Sequence, residues 1–310
     1  MGAKLFIALG ALMVMAGAVP SRGTALSINA AAPQVSQPGV ARSVRLRVNK
    51  ERGLLVTAWL NGNGPYVFAV DTGAGMNLIS QRVVSAARLP VRNVRPTVLG
   101  GLTTATTTSS REAVINELAL GDIGNTFRGK AALVVSTLGQ GIDGVLDPTN
   151  IYSPNGFSID LPNQRLEAIY STAHDSGRQR VGEGAVVPWL RLGGSMRPFV
   201  RLGDGRLALI DTGSGFGLAV NQRNAIVVGG RRNDPRETNH DLGGGTINSR
   251  RVSPTTISIG ELVLRGVPTD ILFGVEDNAP LILGRDALYP FKITFDPQKR
   301  TIGFVTSERS

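Results

Sequence analysis

Short apolar segments rich in Val, Ile, Leu and Thr recur along the chain, separated by polar turns that contain glycine. Residues 54–70, LLVTAWLNGNGPYVFAV, illustrate the pattern, with two apolar runs on either side of an Asn-Gly turn. Apolar runs of this length between turn residues are typical of β-strands. Glycine occurs 39 times, and aromatic residues make up only 5% of the chain, which fits many tight turns. The pattern predicts an all-β protein.

The N-terminal apolar run differs from these strands because it is longer and contains no charge. It extends from Leu5 to Val19 and follows Lys4. Such a run is short for crossing a bilayer and is typical of a signal-peptide core. Small residues precede Ala25, so we expect a signal peptide at residues 1–25; Ala16-Gly17-Ala18 is an earlier candidate cleavage site, and an uncleaved anchor is the alternative. We expect export to a bacterial periplasm or medium, with no stable membrane span after cleavage.

The amino-acid composition limits the classes of protein to which the chain can belong. The chain has no cysteine, so it can form no disulfide, but 310 residues with 42% hydrophobic content suffice for a core without one. Lys and Arg exceed Asp and Glu by 33 to 23, which gives a formal charge of +10. The arginines are scattered, with pairs only at 231–232 and 250–251. We interpret them as an ordinary solvated surface rather than a nucleic-acid interface.

An internal duplication organises the chain. GPYVFAVDTGAG at 64–75 corresponds to DGRLALIDTGSG at 204–215, and GFSIDLPNQRLEAI at 156–169 corresponds to FKITFDPQKRTIGF at 291–304. Landmarks in the same order indicate that a whole unit was doubled. Small, polar and Pro- or Gly-containing stretches frame the copies. We predict a flexible lead-in at 26–42, a first lobe at 43–170, a linker at 171–184 and a second lobe at 185–307.

The tripeptide Asp-Thr-Gly occurs in both copies, at 71–73 and 211–213, directly after an apolar strand. Asp and Gly are common in turns, so a pair of structural turns is one interpretation. The other is chemical: two carboxyl groups about 3 Å apart share one proton, so one can act as a base toward water and the other as an acid toward a carbonyl. The catalytic candidates are then Asp71 and Asp211. The turn residues that would support them are Thr72, Gly73, Thr212, Gly213 and Ser214.

These motifs resemble the aspartic peptidase superfamily, in particular its bacterial retropepsin-like branch. VDTGAG and IDTGSG are similar to the family's catalytic turn, and LILGRDAL at 281–288 is similar to the apolar-apolar-Gly element beneath that turn. The resemblance spans residues 43–307. It implies an all-β, bilobal fold with two β-barrel-like lobes facing across a cleft. It also implies peptide hydrolysis by Asp71 and Asp211 with no metal or cofactor.

The resemblance further implies a flap over the cleft from each lobe. The candidate flaps are the Gly-rich segments 98–104 and 241–247, whose glycines are Gly100, Gly101, Gly243, Gly244 and Gly245. Neither segment contains a tyrosine.

The element beneath the second turn contains Gly284, Arg285 and Asp286. Its counterpart in the first copy is ambiguous. Matching Gly144 to Gly284 keeps the offset at 284 − 144 = 140, whereas matching Leu146 to Leu283 gives 283 − 146 = 137 and puts Asp147 in the place of the glycine. In the second case, Asp147 and Asp143 bring negative charge toward the dyad.

The two turns also differ at the residue after the glycine, which is Ala74 in one and Ser214 in the other. The hydroxyl of Ser214 is a possible hydrogen-bond donor to an ionised Asp211, and Ala74 offers none. We therefore expect Asp71 to hold the shared proton more often than Asp211.

Two functions remain open at this stage. The first is an exported, monomeric aspartic endopeptidase acting on peptides or proteins. The second is a peptidase-fold binding or scaffold protein of the bacterial envelope that has lost catalysis, which the charge of Asp147 favours. The only histidines are His174 and His240, so neither a zinc site nor a Ser-His triad is expected.

Overall fold

The computed structural model describes residues 43–100, 106–136, 138, 141–169, 184–192, 195–227, 236–240, 246–275, 277 and 279–309. The predicted signal peptide, lead-in and most of the predicted linker lie outside these residues, as do Gly101 and Gly243–Gly245 of the candidate flaps. None of the described helices is long and apolar enough to cross a membrane.

The described residues are mostly β-strand, which confirms the predicted all-β class. The strands are β1 (Val44–Arg45), β2 (Arg47–Asn49), β3 (Gly53–Leu60), β4 (Asn63–Val70), β5 (Leu78–Ser80), β6 (Val91–Gly100), β7 (Thr106–Leu120), β8 (Thr126–Val135), β9 (Gly144–Leu146), β10 (Gly156–Asp160), β11 (Arg165–Ile169), β12 (Gly184–Pro188), β13 (Phe199–Arg201), β14 (Leu207–Ile210), β15 (Leu218–Asn221), β16 (Arg236–His240), β17 (Thr246–Ile259), β18 (Leu262–Phe273), β19 (Leu281–Leu283), β20 (Phe291–Asp296) and β21 (Thr301–Thr306). The helices are short: α1 (Gln81–Ala86), α2 (Pro148–Ile151), α3 (Arg285–Leu288) and a 3-10 turn at Asn224–Val227.

Each half of the chain builds a sheet of its own. The first has the order β2-β3-β4-β9-β5-β8-β7-β6, and the second has the order β13-β14-β19-β15-β18-β17-β16. From β3 and β13 onward, the two sheets match strand for strand. In both, the strand before the Asp-Thr-Gly turn pairs in parallel with a short central strand, β4 with β9 and β14 with β19. The duplication seen in the sequence is therefore also present in the strand topology.

A third sheet, β1-β11-β10-β20-β21-β12, contains strands from both halves. Its centre is the antiparallel pair β10 and β20, in which Phe157 lies opposite Phe295. Their rings stack with centroids 4.6 Å apart and are fully buried. Burial alternates along β20, as expected of a strand with one face on the core. Apolar burial on this shared sheet thus joins the two halves.

The central strands β9 and β19 are buried along their entire length. Strands covered on both faces are expected to be continuously apolar, as Val145-Leu146 and Leu281-Ile282-Leu283 are. Burial on both faces restricts their movement. Each is therefore a fixed support for the turn beside it.

Candidate active site

Asp71 and Asp211 occupy equivalent positions, each being the first residue after a strand of its half. The amide of Asp71 donates to Leu146 O at 2.9 Å, and the amide of Asp211 donates to Leu283 O at 3.0 Å. These bonds continue the parallel ladders β4–β9 and β14–β19 by one residue. Both turns are therefore fixed to the buried central strands.

The two carboxyl groups face each other across the halves. A Cβ added to Gly213 would lie 2.4 Å from Asp71 Cγ, and one added to Gly73 would lie 2.8 Å from Asp211 Cγ. Real Cβ contacts are essentially never shorter than 3.0 Å, so each glycine makes room for the aspartate of the other half. Asp71 and Asp211 are only 8% and 9% exposed. The structure thus brings the two candidate catalytic residues together in a nearly buried pair.

Backbone donors to the two carboxyl groups are unequal. Asp71 Oδ1 accepts from Gly73 N at 2.7 Å. Asp211 Oδ1 accepts from Gly213 N at 2.9 Å and also from Ser214 N at 3.1 Å. The prediction that the Ser214 hydroxyl donates to Asp211 is wrong. The Ser214 amide is the donor, and the hydroxyl accepts from Phe216 N at 3.3 Å. Since the extra bond comes from the backbone, it reflects the shape of the turn rather than the choice of serine.

The pair binds a proton more tightly than an isolated carboxyl group would. The pKa of Asp71 is raised well above its usual value, first by burial, then by the negative charge of Asp211 and by a hydrogen bond shared with Asp211. The Gly73 amide acts in the opposite direction, and the charge of Asp147 adds a further small increase. Two adjacent carboxyl groups that cannot both ionise share one proton. These effects favour Asp71 as its holder.

Thr72 and Thr212 connect the two turns symmetrically and are fully buried. Thr72 Oγ1 donates to Ile210 O at 2.6 Å and accepts from Thr212 N at 3.1 Å. In return, Thr212 Oγ1 donates to Val70 O at 3.3 Å and accepts from Thr72 N at 3.2 Å. Four hydrogen bonds across the halves therefore hold the aspartates in register.

Replacing Thr72 by valine tests this connection. Valine keeps the shape of the side chain but loses the bonds to Ile210 O and from Thr212 N. We expect the free energy of unfolding, measured by urea denaturation, to fall by about 1–3 kcal/mol, the cost of leaving buried polar groups unpaired. Thr301→Val, at a partly exposed position of β21, is the control and should change stability by less than about 0.5 kcal/mol. Equal stability of Thr72→Val and wild type would show that the two bonds of the Thr72 hydroxyl do not stabilise the contact between the halves.

The structure resolves the ambiguity beneath the first turn. The carbonyl groups of Leu146 and Leu283 each accept from the amide of the Asp-Thr-Gly aspartate in their own half, so Asp147 is the counterpart of Gly284. Gly144 lies within β9 opposite Phe68 and is not equivalent. Gly284 cannot carry a side chain, because its Cβ would lie 2.4 Å from Phe216 O. The first half accommodates Asp147 at the same point.

Asp147 is 0% exposed. Its Oδ1 accepts from Thr149 N at 2.9 Å and from Thr149 Oγ1 at 2.7 Å, which caps α2. Its amide donates to Asn77 Oδ1 at 2.9 Å. Burial raises the pKa of Asp147 to about 6, although the Thr149 bonds and the charge of Arg197 oppose the increase. Asp143, also expected near the dyad, is instead paired with Arg82 and accepts from Val67 N.

Two arginines bind the carbonyl groups of the turns. Arg285 Nη1 donates to Thr212 O at 2.9 Å and to Gly213 O at 2.8 Å. Burial lowers the pKa of Arg285, and the charges of Asp211, Asp286 and Asp71 raise it. Arg197, from the second half, donates to Ala74 O of the first turn at 3.2 Å. Each turn therefore has a guanidinium group on its backbone.

The remaining predicted site residues are Asp286 and the flap glycines. Asp286 is exposed in the first turn of α3, and its amide donates to Phe216 O at 3.2 Å. The candidate flaps connect the strands of two hairpins, β6 with β7 and β16 with β17. Gly100 pairs with Thr106 at the end of the first hairpin. The other flap glycines lie outside the described residues.

Sequence reasoning missed three residues of this site. Arg197 belongs to no motif, and its contact with Ala74 depends on the pairing of the halves. Asn77 bonds Asp147 N through Oδ1 and Asn150 Oδ1 through Nδ2, at 2.9 and 2.8 Å. Gly53 leaves space for Arg285, since a Cβ there would lie 2.9 Å from Arg285 Nη1. Position 77 is Asn, whereas the corresponding position 217 of the second half is Gly. This difference between the halves is a signal that could have identified Asn77.

Within the described part of the chain, no three His, Asp or Glu side chains cluster as a metal site would require.

Part of the chain is similar to a known protein family. Residues 56–146 match the family model described as aspartyl protease. The match includes the Asp71 turn and the β4–β9 pair and ends one residue before Asp147, so Asp211 is related to it through the duplication. No curated protein matches the chain. The resemblance to the aspartic peptidase superfamily is thereby confirmed, and it is carried by residues 56–146.

Proposed function

We propose that this chain is an aspartic endopeptidase in which Asp71 and Asp211 together activate a water molecule. The aspartyl protease match supports a peptidase function in general. The observation that carries the specific proposal is the approach of the two carboxyl groups, each lying against the glycine of the opposite turn. A nearly buried pair of this kind retains one proton over a range of pH in which single carboxyl groups are ionised.

The unequal hydrogen bonding supports different roles for the two aspartates. Asp211 accepts two backbone amides and Asp71 accepts one, and the pKa of Asp71 is raised, so we take Asp71 as the acid and Asp211 as the base. Asp211 takes a proton from water as the water oxygen attacks the peptide carbonyl carbon, and Asp71 gives its proton to the carbonyl oxygen. When the C–N bond breaks, the amine leaves with the proton from Asp211, and Asp71 recovers one from the collapsing diol. The pair regains its single proton and the cycle balances.

The finer parts of the proposal rest on the sequence and on the strand topology. The apolar run Leu5–Val19 supports export to a bacterial periplasm or medium. The two sheets of matching order support two lobes, with the hairpins β6–β7 and β16–β17 leading into the flaps. Because one chain supplies both aspartates, the site needs no second copy, which supports a monomer. The substrates are peptides or proteins.

A peptide-library digest with the purified wild-type chain tests this function. We expect cleavage within peptides between about pH 3 and pH 7, unaffected by EDTA or by a serine-acylating reagent, because the chemistry requires only carboxyl groups and water. Cleavage abolished by either reagent would contradict the proposal. Absence of cleavage, with peptides still retained on the immobilised chain, would favour the envelope binding protein instead.

A further inference from the structure

The carboxyl group of Asp147 is more deeply buried than either member of the dyad, at 0% exposure. It directly follows Leu146, whose carbonyl holds the amide of Asp71. Oδ1 has both Thr149 donors, and Oδ2 has no partner within hydrogen-bond geometry among the described residues, although the Asn150 amide is near enough to lower the pKa of the group. Burying a carboxyl oxygen without a partner is unfavourable. A helix cap alone does not require this, since Ser, Thr or Asn caps equally well without a buried charge.

The second half shows that the fold does not need a carboxyl group here. Gly284 occupies the equivalent position, and α3 begins without a side-chain cap. The next residue, Arg285, places a guanidinium group on the carbonyls of Thr212 and Gly213. The residues that follow the central strands thus differ: Arg285 lies beneath the Asp211 turn, and Asp147 lies beneath the Asp71 turn. Arg285 interacts with both aspartates, more strongly with Asp211, and the anion of Asp147 acts on Asp71.

We propose that Asp147 is a positioning residue for the dyad, whose buried negative charge places the shared proton on Asp71 while Arg285 favours the charge on Asp211. The inference rests on the proposed function, because it describes how that dyad is prepared for catalysis. Asp147 does not contact the reacting atoms. It acts through the electrostatic field at Asp71.

The charged groups around Asp147 support this direction. Asp71 lies on the turn above, and ionised Asp147 is among the causes that raise the pKa of Asp71. Arg197, bonded to Ala74 O, stabilises the ionised form of Asp147. Lys130 donates to Asn150 O on α2 at 3.3 Å, which adds a second cation on this side. The surroundings thus keep an anion beneath Asp71 at neutral pH although burial opposes it.

The sign of the effect follows from these relations. Above about pH 6, Asp147 is ionised and strengthens proton binding by Asp71. Replacing Asp147 by asparagine removes the charge but retains an oxygen that caps α2. The dyad should then lose its shared proton at lower pH. Below about pH 6, wild-type Asp147 is itself protonated, so the two proteins should behave alike.

Carboxyl titration by NMR tests the proposal on the full chain, labelled with 13C at aspartate Cγ. We expect the Asp71 signal of the wild type to titrate at higher pH than that of Asp147→Asn, and to respond again as Asp147 ionises. Asp160→Asn is the matched control, because Asp160 is a buried turn former that accepts from Asn163 N at 3.1 Å in the shared sheet. It should leave the Asp71 titration unchanged.

Identical Asp71 titrations in wild type and Asp147→Asn, with no response in the wild type as Asp147 ionises, would overturn the proposal. If Asp147→Asn does not fold, Asp147→Ser retains a capping oxygen and carries the same expectation. Where the wild type cleaves peptides, the basic limb of its kcat/KM profile should move to lower pH in the variant. A wild type that cleaves nothing would refute the proposed function, whereas the NMR titration would still decide whether Asp147 controls the dyad.

Discussion

Replacing Asp71 or Asp211 by asparagine is expected to lower kcat/KM for peptide cleavage by at least about a hundredfold, since a positioned acid or base contributes 10²–10⁴-fold. Asparagine keeps the size of the side chain and accepts the Gly73 or Gly213 amide, but it can neither take a proton from water nor share one with its partner. The electrostatic coupling that raises the pKa of Asp71 also disappears. Each variant should therefore fold and bind peptide but cleave it far more slowly.

The measurement is steady-state cleavage of one peptide from the library, with thermal unfolding to verify folding. Asp160→Asn removes a buried carboxylate of similar exposure, 8%, far along the chain from either turn, and should cleave normally. Cleavage at the wild-type rate by either dyad variant would assign the reaction to other residues.

The second large effect is expected from replacing Gly213 by alanine. Its Cβ would lie 2.4 Å from Asp71 Cγ and 2.5 Å from Asp71 Oδ2, so the carboxyl group must move away from Asp211. Thr212 and the buried strands prevent the turn from yielding. We expect cleavage to fall nearly as far as in the dyad variants, and the free energy of unfolding to fall by about 1–3 kcal/mol, as in other overpacked sites.

Two further alanine variants make this result specific. Gly73→Ala is less crowded, at 2.8 Å from Asp211 Cγ, and should be impaired less than Gly213→Ala. Gly303→Ala, in β21, would meet nothing closer than 3.6 Å and should behave as wild type. Full activity in Gly213→Ala would mean that the carboxyl groups do not face each other as described.

Much of the architecture could be predicted from the sequence. The alternation of apolar runs with glycine turns predicts strands, and two Asp-Thr-Gly segments in a duplicated unit predict that Asp71 and Asp211 meet. Both inferences depend on local pattern and on repetition, which are visible in a single chain. For this reason, the all-β class and the resemblance to aspartic peptidases can be predicted from the sequence alone.

The hydrogen bonds and charges that make the two aspartates unequal could not be predicted in the same way. Whether a backbone amide or the hydroxyl of Ser214 reaches Asp211 depends on turn geometry, not on residue type. The contact of Arg197 with Ala74 requires the packing of one half on the other. Two sequence offsets between the halves gave different counterparts for Asp147. The hydrogen bond from the Asp71 amide to Leu146 O decides between them.

The main physical feature of this site is that two symmetrically placed aspartates have different charged residues around them. The threonine bonds, glycine contacts and ladder bonds are repeated in both halves, so they position the carboxyl groups without distinguishing them. The extra amide on Asp211, the guanidinium of Arg285 and the acid of Asp147 do distinguish them. In the proposed mechanism, equal geometry with unequal charge lets identical residues act as one base and one acid.

The central claim, that Asp71 and Asp211 act as one catalytic unit, is tested most directly by comparing Asp71→Asn, Asp211→Asn and the double variant on the same peptide. Residues that act as a unit show strongly non-additive losses. We predict that each single replacement lowers kcat/KM as far as the double replacement does. Single losses that instead multiply to give the double loss would contradict a shared-proton dyad.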